Sequence, residues 1–208
     1  ISIRILSPRS KNFLTVTART GGKKPELAEI EITTYRLEAK YSDKRHPDQV
    51  HFAKTLEDDL SRRDFTVNAM ALTETKNQKP KTKNYEIIDL FGGQKDLKIK
   101  LIKTVGNPEE RFNEDALRML RAVRLATALD FKIEEKTAKA IKKNSLWIET
   151  ISKERVRDEL VKIIMSDKAA DGIELLRELN LLKFIIPELL ENYGVGQNKH
   201  HIYDCYQH

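Results

Sequence analysis

Asp115, Arg118, Arg121 and Arg124 follow one another at intervals of three in the stretch "NEDALRMLRAVRL". On an α-helix, at about 100° per residue, this spacing gathers the guanidinium groups within roughly 120° of arc. Met119, Leu120, Val123 and Ala126 then fall on the opposite side. Guanidinium is planar, permanently charged and forks onto phosphate oxygens. A carboxylate accepts from exocyclic amines such as cytosine N4 or adenine N6, whereas arginine donates to ring acceptors and phosphate. Together they can tell amino-bearing bases from keto-bearing ones. An amphipathic helix with solvated charges has the same spacing, so spacing alone leaves both readings open. Leu117 and Leu125 project among the arginines, and no acid follows any arginine by four positions, so intrahelical pairs are not expected to neutralise them. Asp115 beside Glu114 also suits a helix's first turn, where acids favour the dipole.

Three further constellations carry chemistry-bearing residues. Glu29 and Glu31 are two apart in "EIEITTYR", so on a strand both would face one side. Such a pair can hold Mg²⁺, which prefers hard oxygen ligands, and a solvent-facing strand gives the same pattern. In "RRD", Arg62 and Arg63 are expected to point in different directions. Asp64 suits either a helix N-cap or a ribose or phosphate contact. Near the end, "QNKHHIYDCYQH" groups His200, His201, Asp204 and His208 at spacings that can ligate a metal, although one such cluster is weak ground for a site.

The elements that must position these residues follow from periodicity. "ISIRIL", "FLTVTA" and "EIEITTYR" read as strands, "LEDDLSRRDFTVNAMAL" as helical, and "YEIIDLFGG" as a strand closed by a glycine turn. The polar "KYSDKRHPDQV" and the lysine-rich "TKNQKPKTKN" read as loops. From about residue 105 the pattern is helical, over 108–129, 133–144, 153–165 and 168–180. This β-then-α order predicts an α+β fold. Over 208 residues the net charge is +6, with a pI near 9.2, which favours a polyanionic partner such as nucleic acid. The single cysteine, Cys205, excludes an internal disulfide and fits a reducing cytoplasm. No apolar run approaches the ~20 residues that span a bilayer, so no membrane partner is expected. The start at "ISIRIL" without Met is expected of a piece of a longer protein.

Several segments, in order, resemble the class II tRNA nucleotidyltransferases and bacterial poly(A) polymerases. They are "EIEITTYR", "LEDDLSRRDFTVNAMAL", "IDLFGGQKDLKIKLIKTVGNPEERFNEDALRMLRAVRLA", "ERVRDELVKII" and "IELLRELNLLKFIIPEL". The likeness runs from about residue 13 to 208. It implies a partial nucleotidyltransferase head over 1–107, a helical, nucleotide-recognising and RNA-binding neck over 108–166, and the start of a helical body over 167–208. Glu31 falls where the family places a third acidic residue beside its catalytic metals. Arg63 and Asp64 fall on its sugar- and phosphate-contacting block, Asp115 and Arg118 on its base-reading block, and Arg121 and Arg124 on its further nucleotide contacts. The implied activity is addition of CMP and AMP to tRNA 3′ ends from CTP and ATP with Mg²⁺. A poly(A) polymerase or a CC- or A-adding enzyme shares these blocks, and a non-catalytic RNA-binding module is the alternative of another class. The family's Asp-x-Asp pair, which holds the metals, has no match in this sequence. The 208 residues alone are therefore expected to be inactive. The tail resembles the entry to an HD-type domain, which would make His208 a possible metal ligand. A metal-dependent phosphohydrolase is the rival that this tail suggests, and it requires a His-Asp pair downstream.

Overall fold

Period-two alternation at the start of the chain becomes short antiparallel strands in a computed structural model that describes residues 4–5, 16–19, 29–38, 50–75, 84–196 and 204–206. Two units are resolved, Ile1–Lys40 with Pro47–Arg62, and Tyr41–His46 with Arg63–His208.

In the first unit, β1 (Arg4–Ile5), β2 (Val16–Arg19) and β3 (Glu29–Ile32) form an antiparallel sheet in that order. Its register sets Thr17 opposite Glu31 and Arg19 opposite Glu29. β4 (Arg36–Glu38) pairs antiparallel with β5 (Val50–Phe52). Helix α1 (Leu56–Ser61) follows, started by Thr55, whose hydroxyl accepts from the Asp58 N–H at 3.2 Å. Glu57, Asp58 and Asp59 fill its first turn, where the helix dipole favours acids.

The second unit departs from the expected single helix over 56–72. Beyond Ser61 the chain opens into an extended segment, and a 3-10 turn over Thr66–Asn68 leads into β6 (Met70–Thr75). β6 pairs antiparallel with β7 (Asn84–Asp89). The helical spacing of Phe65, Val67 and Met70 is overridden by strand pairing. The Thr66 N–H donates to the Lys103 carbonyl at 2.9 Å, the Val105 N–H donates to the Asp64 carbonyl at 3.0 Å, and Phe65 bridges Thr104. Phe65 is fully buried there, an apolar gain of about 2 kcal/mol that helix continuation would forfeit.

After β7, Gly92 takes a left-handed conformation (φ +77°) and opens helix α2 (Gly93–Lys98). The carboxylate of Asp89 caps that helix, accepting from the Gly93 and Gln94 N–H groups at 2.8 and 2.9 Å. Hydrogen bonds to the Gly92 and Phe91 backbone join these two, and together they outweigh burial, the largest influence, to hold Asp89 below its ordinary pKa. β8 (Leu101–Ile102) pairs parallel with β9 (Lys132–Ile133).

The remaining helices are α3 (Pro108–Glu114), α4 (Leu117–Leu129), α5 (Glu135–Asn144), α6 (Lys153–Ile164), α7 (Ala169–Glu178), α8 (Leu182–Ile185) and α9 (Pro187–Glu191). The four helical segments read from periodicity are therefore present, with one correction. The segment 108–129 is two helices, because Asp115 is extended (φ −145°, ψ 107°) and ends α3. Phe112, Met119, Leu120, Val123, Ile141, Ile163, Leu176, Leu181 and Leu182 form the fully buried centre of this unit. Gly172 lets α7 approach closely, since a Cβ there would stand 2.5 Å from Ile163 Cγ2 and 3.0 Å from Thr127.

Candidate functional site

Asp115 sits at the break between α3 and α4, so it does not occupy the first turn of a continuous helix. Its Oδ1 accepts from the Leu117 N–H at 3.0 Å, capping α4 from the side chain, while its carbonyl accepts from the Arg118 N–H at 3.1 Å. The break is what frees the carboxylate: inside a continuous helix the Leu117 N–H would be bonded to a backbone carbonyl.

The three arginines are paired, which corrects the expectation that they are not neutralised. Arg118 is buried, and its Nη1 is held by Glu114 Oε2, one turn earlier, and by the Arg111 carbonyl at 3.2 Å. The forward search for an acid at i+4 misses this partner because Glu114 lies at i−4. Arg121 reaches back along the chain to Asp64, with Nε and Nη2 at 2.8 and 2.6 Å from Oδ2. Arg124 Nε lies 2.6 Å from Glu159 Oε2 on α6, and Lys162 approaches the other oxygen of Glu159 at 2.9 Å. Leu117 is buried in the core and Leu125 packs against it, so the arginine side of α4 is a partly walled edge.

Asp64 does not cap a helix. Its Oδ1 accepts from the Phe65 N–H at 2.9 Å and from Asn68 Nδ2 at 3.2 Å, leaving Oδ2 to Arg121. Burial, the largest influence, pushes the Asp64 carboxyl up. The Arg121 guanidinium and the hydrogen bonds from Arg121, Asn68 and Phe65 together outweigh it and hold the group below its ordinary value. On Arg121 burial likewise works against the charge, and Asp64, then Glu159 and Asp115, overcome it and raise its pKa. Arg63 is half-buried and donates to the Asn68 carbonyl at 3.1 Å, whereas Arg62 pairs with Asp59, so the two neighbouring arginines do go to different partners.

The structure thus brings Arg63, Asp64, Asp115, Arg118, Arg121 and Arg124 into one unit. Glu114 reads in the sequence only as a first-turn acid, and the residues missed at the sequence level are Arg155 and Glu159. The signal for the last two was present in "ERVRDEL", where they stand one helical turn apart. Glu31 lies in β3 of the other unit, with its side chain outside the described residues. His200, His201 and His208 also lie outside them, and Asp204 accepts from the Gly194 N–H at 2.9 Å. Among the described residues no group of three or more His, Cys, Asp or Glu side chains is placed to hold a metal ion. No helix among them is long and apolar enough to cross a membrane.

A model of the poly(A) polymerase head domain matches residues 2–103, and one described as the probable RNA and SrmB-binding site of polymerase A matches 130–192. In tandem they mark a polymerase-type head followed by an RNA-binding segment. The CCA-adding enzyme of Ligilactobacillus salivarius is 49% identical over 154 residues, 74% of this chain and 36% of that protein. That of Enterococcus faecalis is 46% identical over 171 residues, 82% of this chain and 39% of its own length. The Bacillus stearothermophilus CCA-adding enzyme in complex with CTP superposes with a TM-score of 0.68 at 35% identity, covering 86% of this chain and 39% of that one. A tRNA nucleotidyltransferase complexed with a primer tRNA and an incoming ATP analog gives 0.68 at 30% identity, covering 95% and 49%. The chain belongs to the family of tRNA nucleotidyltransferases and bacterial poly(A) polymerases. It spans less than two fifths of the length of those two curated relatives.

Proposed function

We propose that the full-length protein adds CMP and AMP to the 3′ end of tRNA, using CTP and ATP, in the cytoplasm. The observation that carries this reading is the row of charged pairs that begins at Asp115 and runs along one edge of α4. There Asp115 offers a carboxylate beside Arg118, while Arg121 is locked to Asp64 and Arg124 to Glu159. The relatives named for CCA addition support it.

In this reading Asp115 accepts from the exocyclic amine of cytosine or adenine, and Arg118 donates to a ring acceptor of the same base. Arg63 and Asp64 border the sugar and phosphates, and Arg121 and Arg124 set the field that the triphosphate meets. Glu31 is proposed as a supporting acid of the catalytic centre. Mg²⁺, when bound, supplies charge neutralisation at the transferring phosphate. Among the described residues no group of three or more acidic, His or Cys side chains is placed to hold it. The head over 1–107, the neck over 108–166 and the beginning of the body over 167–208 then divide nucleotide and tRNA binding between them. The basic balance of the chain neutralises phosphates of the tRNA acceptor arm, so tRNA affinity should fall steeply with salt.

The test uses the protein with its native upstream sequence, Mg²⁺, tRNA lacking its 3′ end, and labelled CTP and ATP, separately and together. Ordered incorporation of C, C and then A supports the reading. Long runs of A would assign a poly(A) polymerase instead, incorporation of C alone or of a single A would assign a CC- or A-adding enzyme, and no incorporation would return the chain to an RNA-binding role.

A further inference from the structure

Arg155 belongs to α6, forty positions after Asp115, yet its Nη2 lies 2.8 Å from Asp115 Oδ2. With the Leu117 N–H on Oδ1, both oxygens of that carboxylate are pinned by donors from two different helices. The side chains of Asp115 and Arg155 are 17% and 30% exposed, so the pair is sheltered but reachable. Arg155 Nη1 is buried and has no hydrogen-bond partner among the described residues.

One turn further along α6, Glu159 closes on Arg124 of α4. The α4–α6 seam is therefore fastened by two ion pairs of opposite polarity, acid to base at one end and base to acid at the other. A slip of α6 by one turn would set Glu159 against Asp115, like charge on like. Register and carboxylate orientation are thereby determined together.

Orientation matters to base choice for a simple reason. Uracil N3–H and guanine N1–H are donors too, so a carboxylate free to turn can accept from keto-bearing bases as well as from the amines of cytosine and adenine. Each carboxylate oxygen has two acceptor directions. With one on each already taken, the remaining directions are fixed in space.

Resting on the base-reading role of Asp115 given above, we infer that Arg155 is a positioning residue that sets nucleobase selectivity by holding the Asp115 carboxylate in the orientation that accepts an exocyclic amine.

The experiment compares kcat/KM for CTP, ATP, UTP and GTP in the full-length protein and its R155A, R155Q, D115A and D115A/R155A variants. R155A and R155Q should raise UTP and GTP relative to CTP and ATP by about tenfold, the scale of one base-edge contact. The double variant should show the selectivity of D115A alone, because Arg155 acts through Asp115. A merely structural Arg155 would slow all four nucleotides alike, and wild-type ratios in either folded Arg155 variant beside relaxed ratios in D115A would overturn the inference. Unchanged ratios in D115A would instead overturn the base-reading role itself. Where R155A does not fold, R155Q, which keeps a polar side chain but is uncharged and too short to reach Asp115 Oδ2 as Arg155 does, decides the matter.

Discussion

Arg121 and Asp64 stand 57 positions apart and meet through two hydrogen bonds onto one carboxylate oxygen, joining α4 to the extended segment that precedes the 3-10 turn. Asp64 is buried and Arg121 only partly so, at 9% and 35% side-chain exposure. Removing the arginine therefore strands a buried charge, whereas removing the acid leaves a guanidinium that water can still reach.

That asymmetry sets the first expectation. Arg121→Ala should cost about 1–3 kcal/mol of stability, with partial solvent access keeping it below a fully buried pair. A solvated helix face would change by no more than ~0.5 kcal/mol. Urea melts of Arg121→Ala, Asp64→Ala and the double variant should be non-additive, and simple additivity would remove the pair from the account.

Acid should dissolve the same pair. Asp64 has a folded-state pKa below its ordinary value, so its contribution is complete above about pH 4, the unfolded value. It is lost as pH falls through the lower folded value. The stability difference between the wild-type chain and Asp64→Asn should hold from neutral pH to about 5 and then shrink toward pH 2. A difference that grows on acidification would contradict the assigned direction.

In the full-length protein, Asp115→Ala should relax discrimination against UTP and GTP or sharply cut incorporation. Arg124→Ala should raise the KM for nucleotide and, by leaving the buried Glu159 with Lys162 alone, also lower the melting temperature. Steady-state kinetics beside thermal melts separate the two effects. Unaltered kinetics with a lowered melting temperature would leave Arg124 a purely architectural cation.

Gly172→Ala reverses a familiar sign. Alanine inside a helix is ordinarily better than glycine by about 0.5–1 kcal/mol. Here the new methyl group would collide with Ile163 and Thr127, so a net loss of about 1–3 kcal/mol is expected. A raised melting temperature would mean that α6 and α7 can part without penalty.

Much of this architecture was readable from periodicity. The helices over 133–144, 153–165 and 168–180 were legible because their apolar positions recur with a helical period and all reach one buried core. The candidate site residues were pointed to by the likeness of "RRD" and "EDALR" to a known family, since their charge and spacing alone fit a solvated helix face as well. What could not be read was partnership. Arg121 and Asp64 are remote in sequence, and the spacing of Arg121, Arg124 and their neighbours describes one helix without naming what is packed against it. The turn at Asp115 escaped for a related reason: the apolar period runs through it, and the extended backbone of Asp115 with its carboxylate's capture of the Leu117 N–H reveals the interruption. The strand at 70–75 was hidden because Met70, Ala71 and Leu72 suit either period, and pairing with 84–89 decided it.

The pairing of every arginine on α4 also bears on which solutes the edge admits. Arg118, Arg121 and Arg124 each already have a carboxylate of the same chain within ion-pair distance. Chloride arriving there must compete with a resident carboxylate. Displacing that resident favours a polyanion that delivers several oxygens at once, as the triphosphate of the proposed reading would. The built-in counterions thus act as a threshold, and occupancy is decided by exchange between anions instead of by simple attraction to positive charge.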